Sequence, residues 1–517
     1  MTGSLPETDA HRLLDELRAD GVRLWVHGDR LRYRSDDGLS TGRMAALREA
    51  KKEITELLRA EAAVGAAASG PAARVPEAAA GGLARPERPA EVPLSLGQEG
   101  LWFLDRTGET GAAYHEQSAV RLRGALDEAA LSEALTELVR RHEVMRTRYA
   151  DVDGVPRQTI EPATAPVLQR HDLTGVAAGE RDAALRGVLR AAAAAPLDLA
   201  ARCPMSLQLV RTGDQEHVLA VTAHHIMIDG TSFDVLFREL GLLYEAFRKG
   251  EPSPLPPPAA QYADYALWQR ETLRGERLRE LLDYWTGRLE GAPATLGLPF
   301  DRPRPASPGF RGDVVRFTLP APLVESLTAL GHRNQATTFM VLLAAFQALL
   351  SRWSGEDDIS VGLPVDGRNH PDAEHLVGYF LNTLVLRSDL TGRPTFVELL
   401  RQVRNNLIGA YEHRDLPFGR LVQEVASHGR TDHQPLFQVL FTYLAESELR
   451  MGDLDLERVD VTESTAKFDL SLLLSETPSG RIEGGFEFSA DLFDRGSVER
   501  LVGLFVVLLE GVVGDVG

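Results

Sequence analysis

Cysteine is almost missing from this chain. Cys203 is the single thiol among 517 residues, which excludes internal disulfides and cysteine-built metal clusters and suits a reducing compartment. Alone, it reads as a small buried side chain. Positive charge is also in deficit, with 56 Lys and Arg against 75 Asp and Glu, a formal net charge of -19. Such a balance opposes nonspecific attachment to nucleic acid or to an anionic membrane. No apolar run is long enough for a membrane span, and Met1 to His11 are polar and acidic where a signal peptide would be apolar. The expectation is a cytoplasmic protein with neither nucleic acid nor membrane as partner. What the chain does have is 44% hydrophobic and 25% charged residues, enough for at least two ordinary cores.

Composition divides the chain. Residues 1–60 contain two helix-spaced apolar stripes, Leu13, Leu14 and Leu17, then Met44, Leu47, Ile54, Leu57 and Leu58. Between them, apolar and polar residues alternate from Leu24 to Arg34, with Gly28-Asp29 supplying turn chemistry, so a hairpin is expected. One hairpin face carries Leu31 and Tyr33, the other Arg30, Arg32 and Arg34. Residues 61–91 hold 12 Ala, 4 Gly and 4 Pro without an apolar period, the composition of a linker. From Pro93 onward strands and helices mix, and the proline-rich stretches 252–258 and 298–305 punctuate the middle. The expected lobes are 92–270 and 271–517. In the first, His217 to Ala223 reads as a strand that ends in a double histidine, followed by an amphipathic helix from Phe233 to Phe247. In the second, Phe339 to Trp353 reads as an apolar helix and Ile359 to Pro364 as a buried strand.

The segment His224-His225-Ile226-Met227-Ile228-Asp229-Gly230 concentrates the chemistry. Imidazole can take or relay a proton near neutrality, and Asp229 can fix local geometry. Gly230 permits a positive backbone angle at the turn. Two bland roles fit the same residues: a metal pair, or two satisfied core histidines beside an aspartate that caps the next helix. Neighbouring strand residues point to opposite faces, so only one of the two histidines can face a cleft.

A family resemblance goes further. The chain resembles the condensation domains of non-ribosomal peptide synthetases over a run of ordered motifs: Leu94 to Leu104, Arg141 to Tyr149, His224 to Gly230 (HHxxxDG), Tyr262 to Trp268, Val377 to Leu384, His413 to Phe418 and Arg430 to Phe437. Gly100 stands where the family usually has Arg, and Thr231 also departs from the common residue. HHxxxDG is shared across the acyltransferase superfamily; the Gly378 to Thr383 stretch resembles the condensation type, and no epimerisation-type glycine-rich motif or spaced-aspartate heterocyclisation motif is present. Residues 14–58 resemble the tubulysin-type docking domain.

The resemblance implies an α/β (α+β) fold of two chloramphenicol acetyltransferase-like lobes, a V-shaped pseudo-dimer with a central tunnel, preceded by a small αββαα docking domain. It implies an acyltransferase that joins a donor acyl or peptidyl thioester to an acceptor aminoacyl thioester, each carried on the phosphopantetheine of a carrier protein. No metal and no intrinsic cofactor is required for a reaction that runs downhill. His225 is the implied base or positioning group, His224 its structural support, and Asp229 the partner of Arg146 in a buried ion pair. Asn382 and Gly378 are expected to shape the tunnel, or else to serve turns and packing. Arg30, Arg32 and Arg34 are expected to meet the acidic C-terminal docking peptide of an upstream chain by β-augmentation. The implied partners are the upstream donor carrier with that peptide, and downstream acceptor carrier and adenylation domains, in natural product and antibiotic biosynthesis. Two alternatives stay open: a starter or modified condensation domain with a fatty-acyl or polyketide donor or an extra step such as dehydration, and a non-catalytic docking platform.

Overall fold

The computed structural model describes residues 13, 17, 23–27, 30–34, 43, 46, 50, 51 and 54, and residues 82–514 except 86, 90, 109, 306–308, 428–435, 446–448, 462–464 and 478. In the N-terminal unit, β1 (Arg23–His27) and β2 (Arg30–Arg34) pair antiparallel, with His27 opposite Arg30 across a two-residue connection. Arg32 lies opposite Trp25, and Arg34 opposite Arg23. Leu13, Leu17 and Ile54 are helical, and Leu17 and Ile54 are fully buried. The other apolar positions of the two expected stripes, and the side chains of Arg30, Arg32 and Arg34, lie outside the described residues.

Two helix-covered sheets follow. The first is built from β4 (His115–Arg123), β7 (Leu168–Asp172), β8 (Met205–Gly213), β9 (Glu216–His224) and β14 (Asp455–Val459), in the order β14-β4-β9-β8-β7. Beside it stands a three-stranded sheet of β3 (Val92–Pro93), β6 (Val155–Ile160) and β5 (Thr147–Val152). The second large sheet is built from β10 (Gly312–Leu319), β11 (Asp358–Asp366), β12 (Leu381–Asp389), β13 (Val439–Ala445), β15 (Leu470–Glu476) and β16 (Ile482–Ser489), in the order β10-β16-β15-β13-β11-β12. Each lobe closes over its own apolar cluster, which is how a sheet with one buried face becomes stable.

The expected elements are present with small extensions: the strand before the double histidine is β9, the helix after it spans Gly230–Arg248, and the apolar helix of the second lobe spans Thr338–Ser354. No single helix among the described residues is long and apolar enough to cross a membrane.

Sequence order and lobe do not coincide everywhere. Ala373, Leu376, Val377 and Phe380 pack into the first core, and so do Met451 and Leu454. From there β14 runs antiparallel to β4, with Asp455 opposite Arg123 and Val459 opposite Ala119. The late half of the chain therefore supplies the edge strand of the early half's sheet. The crossing runs so close to the helix Gly230–Arg248 that a Cβ on Gly241 would lie 2.0 Å from the Arg450 carbonyl oxygen, which leaves glycine as the residue that fits.

The segment expected to be a linker is also partly built into the fold. Leu83 is fully buried in the first core, and its N–H donates to Asp372 Oδ2 at 2.9 Å. Arg88 Nε donates to Asp264 Oδ1 at 2.7 Å, and its guanidinium also binds Glu143. A proline-rich stretch makes few ladder bonds of its own, so it is held by side chains reaching to the lobe beneath.

Candidate functional site

The site begins where β9 stops. His224 is the last strand residue, opposite His115 on β4, and the chain then turns through Ile226, Met227 and Ile228, all fully buried, into the helix at Gly230. The His225 N–H donates to the Tyr114 carbonyl at 2.8 Å, which ties the turn to the start of β4.

The two histidines differ in the way alternation predicts. His224 Nδ1 accepts from the Ile226 N–H at 3.1 Å, so its proton sits on Nε2, 3.8 Å from Asp105 Oδ1. Its side chain is 3% exposed. Burial, with His115 and His225 nearby, depresses its pKa to about 3, so it is a neutral structural group. His225 faces the Ile228 carbonyl through Nδ1 at 2.7 Å. Only a donor satisfies a carbonyl oxygen, so Nδ1 carries the proton and Nε2 keeps its lone pair. The ring meets Tyr379 edge-on at 5.0 Å, and 10% of the side chain stays accessible. Burial lowers the His225 pKa below the usual imidazole value, against the pull of Glu116 in the other direction.

Nε2 of His225 lies 3.5 Å from Glu116 Oε1 on β4, and that oxygen accepts from Lys467 Nζ at 2.6 Å. Lys467 arrives just ahead of β15, so the pair joins the two lobes. Burial pushes the Glu116 carboxyl up, but Lys467 and then His225 outweigh it, and the group stays well below the usual carboxylate range. Glu487 on β16 stands near enough for both Lys467 and Glu116 to act on it, and burial raises its pKa to about 6.

Asp229 caps the helix, its Oδ1 accepting from the Ser232 N–H at 2.8 Å, and so fills the capping role as well as an ionic one. Its ionic partner is not Arg146. Arg368, in the loop after β11, reaches both carboxylate oxygens at 3.0 and 3.1 Å, and the Phe380 N–H donates to Oδ2 at 2.9 Å. Arg146 instead donates to the Glu161 carbonyl at 2.6 Å and lies 3.8 Å from Glu143. The physical reason is geometric. Arg146 ends a short 3-10 turn that leads into β5, away from the Asp229 cap, whereas Arg368 enters from the second lobe and is 4% exposed. In the same motif, Arg141 and His142 clasp the buried Glu239 of the capped helix at 3.1 and 2.7 Å, which draws that carboxyl well below its usual range despite burial.

Gly230 is corrected as well. It opens the helix with an ordinary helical backbone and is absent from the residues of positive φ, because the first helical position needs negative φ. Gly378 and Asn382 both make packing and loop contacts. A Cβ on Gly378 would meet Tyr262 Cδ2 at 1.9 Å, and its N–H and C=O both bond the Ser232 hydroxyl. Asn382 donates to the Arg414 and Leu416 carbonyls at 2.7 and 2.8 Å and accepts from the Phe418 N–H. A cavity of about 130 Å³ opens beside the site, walled by His115, Gln117, Arg186, Arg190, Asp460 and Thr465, and His225 does not line it. No group of three or more His, Cys, Asp or Glu suited to a metal occurs among the described residues.

Sequence reasoning missed Glu116, Lys467 and Arg368. Glu116 had a signal: it shares the strand face of Val120 and Leu122, which are buried in the first core, and a charge in that row is out of place. Lys467 and Arg368 had none, since each reaches the site from the other lobe.

Comparison with known proteins adds the ancestry. The Condensation domain family model matches residues 89–516, and the TubC N-terminal docking domain model matches residues 11–60. A linear gramicidin synthase of Brevibacillus parabrevis is 42% identical over 434 residues, 83% of this chain and 8% of that protein. Malpinin synthetase of Mortierella alpina is 41% identical over 430 residues, 83% of this chain and 6% of that protein. The chain thus spans under a tenth of the length of these relatives. Phosphinothricin tripeptide synthetase PhsC of Streptomyces viridochromogenes is 38% identical over 481 residues, covering 92% of this chain and 43% of that protein. Among solved structures, the X-domain from teicoplanin biosynthesis superposes with a TM-score of 0.76 at 31% identity, over 84% of this chain and 98% of that one. The first condensation domain of the calcium-dependent antibiotic synthetase shares the fold, with a TM-score of 0.71 at 23% identity, over 82% of this chain and 97% of that one.

Proposed function

The chain belongs to the condensation domain family of non-ribosomal peptide synthetases and carries a TubC-type docking domain ahead of it, and on that premise we propose that it forms an amide bond between two carrier-borne thioesters. The acceptor amine attacks the donor thioester carbonyl. The C–N bond forms, the C–S bond breaks, and the proton shed by nitrogen ends on the pantetheine thiolate. Holding both tethered groups in line replaces a bimolecular encounter with a nearly intramolecular one. His225 Nε2 is the proton carrier or the atom that positions the amine, and the phosphopantetheine arms of the partner carriers bring the substrates in from the two lobes' opposite sides.

One observation carries this reading. The hydrogen bond from Nδ1 to the Ile228 carbonyl fixes the tautomer that leaves Nε2 free, on a ring that keeps a tenth of its surface open. Asp229, locked to Arg368, holds the turn in shape and does not take part in the chemistry. The deciding experiment incubates the chain with an acyl-loaded donor carrier and a panel of aminoacyl-loaded acceptor carriers, and follows amide product by mass spectrometry. Product in the wild-type chain supports the reading, and its absence across the panel removes it.

The N-terminal hairpin takes the acidic C-terminal peptide of an upstream synthetase chain as an added strand, with Arg30, Arg32 and Arg34 setting partner choice. A second reading, a recruiting platform without catalysis, is favoured by the likeness to an X-domain solved in complex with OxyB, 30% identical with a TM-score of 0.76. The Nε2 lone pair, left without a hydrogen-bond donor among the described residues on a side chain still 10% accessible, weighs against it.

A further inference from the structure

Glu116 is a charged residue at an inward strand position, beside the accessible member of the histidine pair, and the chemistry assigned above makes no use of it. Its Oε1 stands 3.5 Å from His225 Nε2, longer than a hydrogen bond between nitrogen and oxygen. With Nδ1 carrying the imidazole proton and the carboxyl ionised, both atoms are acceptors, and two acceptors side by side lack a donor. Lys467 holds the carboxylate from the other lobe, through the same Oε1 at 2.6 Å, and sits 5.4 Å above the Tyr114 ring. Glu116 keeps 24% of its side chain accessible and His225 keeps 10%, whereas His224 and Asp229 keep 3% each. Lys467 keeps 24% as well, so Glu116, His225 and Lys467 are the side chains of the cluster that remain in part accessible.

We propose that Glu116 Oε1 and His225 Nε2 together form the seat of the acceptor's amino group, each taking one N–H of the attacking nitrogen. The inference rests on the condensation reading and names the part of the site that recognises the amine. A nitrogen about 2.9 Å from both atoms sees them roughly 75° apart, so two N–H bonds reach them with bends of less than about 20° each. The third nitrogen direction, its lone pair once a proton has gone, is left for the thioester carbonyl. The ion pair with Lys467 keeps Glu116 from taking the proton, so the proton lost when the C–N bond forms goes to His225 Nε2 and from there to the departing thiolate. Because Lys467 belongs to the second lobe, the seat is complete only with the two lobes in register. Its ligand class is an amine or ammonium with at least two N–H bonds.

The test measures binding apart from turnover. A panel of unreactive aminoacyl pantetheine amides spanning the common side-chain classes is titrated calorimetrically into the full chain, each beside its des-amino counterpart. The wild-type chain is expected to prefer the amino form by about tenfold or more, the usual worth of a hydrogen bond to a charged group. Glu116→Gln, which keeps the size, is expected to reduce that preference by about threefold or more, with His225 still taking one N–H and des-amino binding unchanged. An equal preference in the wild-type and Glu116→Gln chains overturns the proposal, as does a wild-type chain with no preference. Should Glu116→Gln fail to melt cooperatively, Glu116→Asp and Lys467→Gln are read by the same ratio, and each is expected to reduce it. A wild-type chain that makes amide product yet shows no amino preference sinks this inference alone. One that makes no product and binds no member of the panel sinks the condensation reading as well.

Discussion

The Asp229 carboxylate and the Arg368 guanidinium meet edge to edge, two oxygens against two nitrogens at 3.0 and 3.1 Å, and each side chain is 4% exposed or less. The pair links the cap of the helix after the HHxxxDG turn to the loop after β11, one from each lobe. Removing Arg368 leaves Asp229 and Asp366 without their shared counter-charge, a loss of ~3 to 5 kcal/mol, whereas removing Asp229 leaves Arg368 still paired with Asp366 at 3.0 Å. We expect both Asp229→Ala and Arg368→Ala to lower the denaturation midpoint, Arg368→Ala the more. Arg146→Ala, at a more open position, is expected to cost less than ~1 kcal/mol. Urea unfolding of the three variants checks this, and a large loss in Arg146→Ala alone would reverse the assignment.

His225→Ala is expected to keep the melting temperature within a few degrees while amide formation falls by ~10²- to 10⁴-fold, the usual worth of a positioned base. The wild-type rate also has a direction with pH. A base works in its neutral form, and burial lowers the His225 pKa, so the acid limb of the rate profile lies below the ordinary imidazole value of ~6.5. A limb above that value, measured with loaded carriers, counts against His225 as the titrating group.

The double histidine has a stability signature as well. His224 titrates at about 3 in the folded protein, and an unfolded histidine at ~6.5. Between these values the unfolded chain binds a proton that the folded chain refuses, so stability falls as pH drops from about 6.5 toward 3 and the effect is complete below that. His224→Gln removes this component. Unfolding midpoints at pH 7 and pH 5 are expected to differ less in the variant than in the wild type, and an unchanged difference would show that other groups carry the acid sensitivity.

Gly378→Ala tests a position read as tunnel lining or packing, which in the structure is packed against Tyr262. The added methyl would stand 1.9 Å from the Tyr262 ring, whose hydroxyl is tied to Ser95 and to the Tyr379 carbonyl and so does not step aside. A destabilisation of ~1 to 3 kcal/mol or more is expected. In a Tyr262→Ala background the same change is expected to cost little, because the clash is gone; calorimetric melts of the four-member cycle decide it.

At the other end of the chain, replacing Arg30, Arg32 and Arg34 by Glu is expected to abolish binding of an acidic C-terminal peptide and, with it, the salt dependence of association. Fluorescence anisotropy with a labelled acidic peptide reads both. Salt dependence that persists in the triple variant would place the charge recognition elsewhere.

How much of this was legible in the sequence follows from range. The pairing of Arg23–His27 with Arg30–Arg34, the strand that ends at His224 and the helix that follows are all local patterns, set by alternation and the 3.6-residue stripe, and the structure has them; the expected Gly28-Asp29 turn lies outside the described residues. The contrast between His224 and His225 was legible for the same reason, as the two faces of one strand end. What escaped was contact across the lobes. Arg146 and Arg368 are equally good cations on paper, and only the path of the chain after β11 decides which one reaches Asp229. Lys467 is an ordinary lysine in sequence, and it matters because its side chain, from just ahead of β15, reaches Glu116 on β4. Likewise β14 reads as a strand of the later lobe, and its register with β4 puts it in the earlier one.

The buried plug formed by Leu83 and the clasp of Arg88 set where this unit can be cut from, or grafted onto, another chain. A splice placed after Glu91 strips out a fully covered leucine and two carboxylates' counter-charge, exposing a hole in the first lobe's wall. A splice placed ahead of Gly82 leaves the wall whole. For anyone recombining such units, the cut that keeps both contacts thus falls ahead of Gly82.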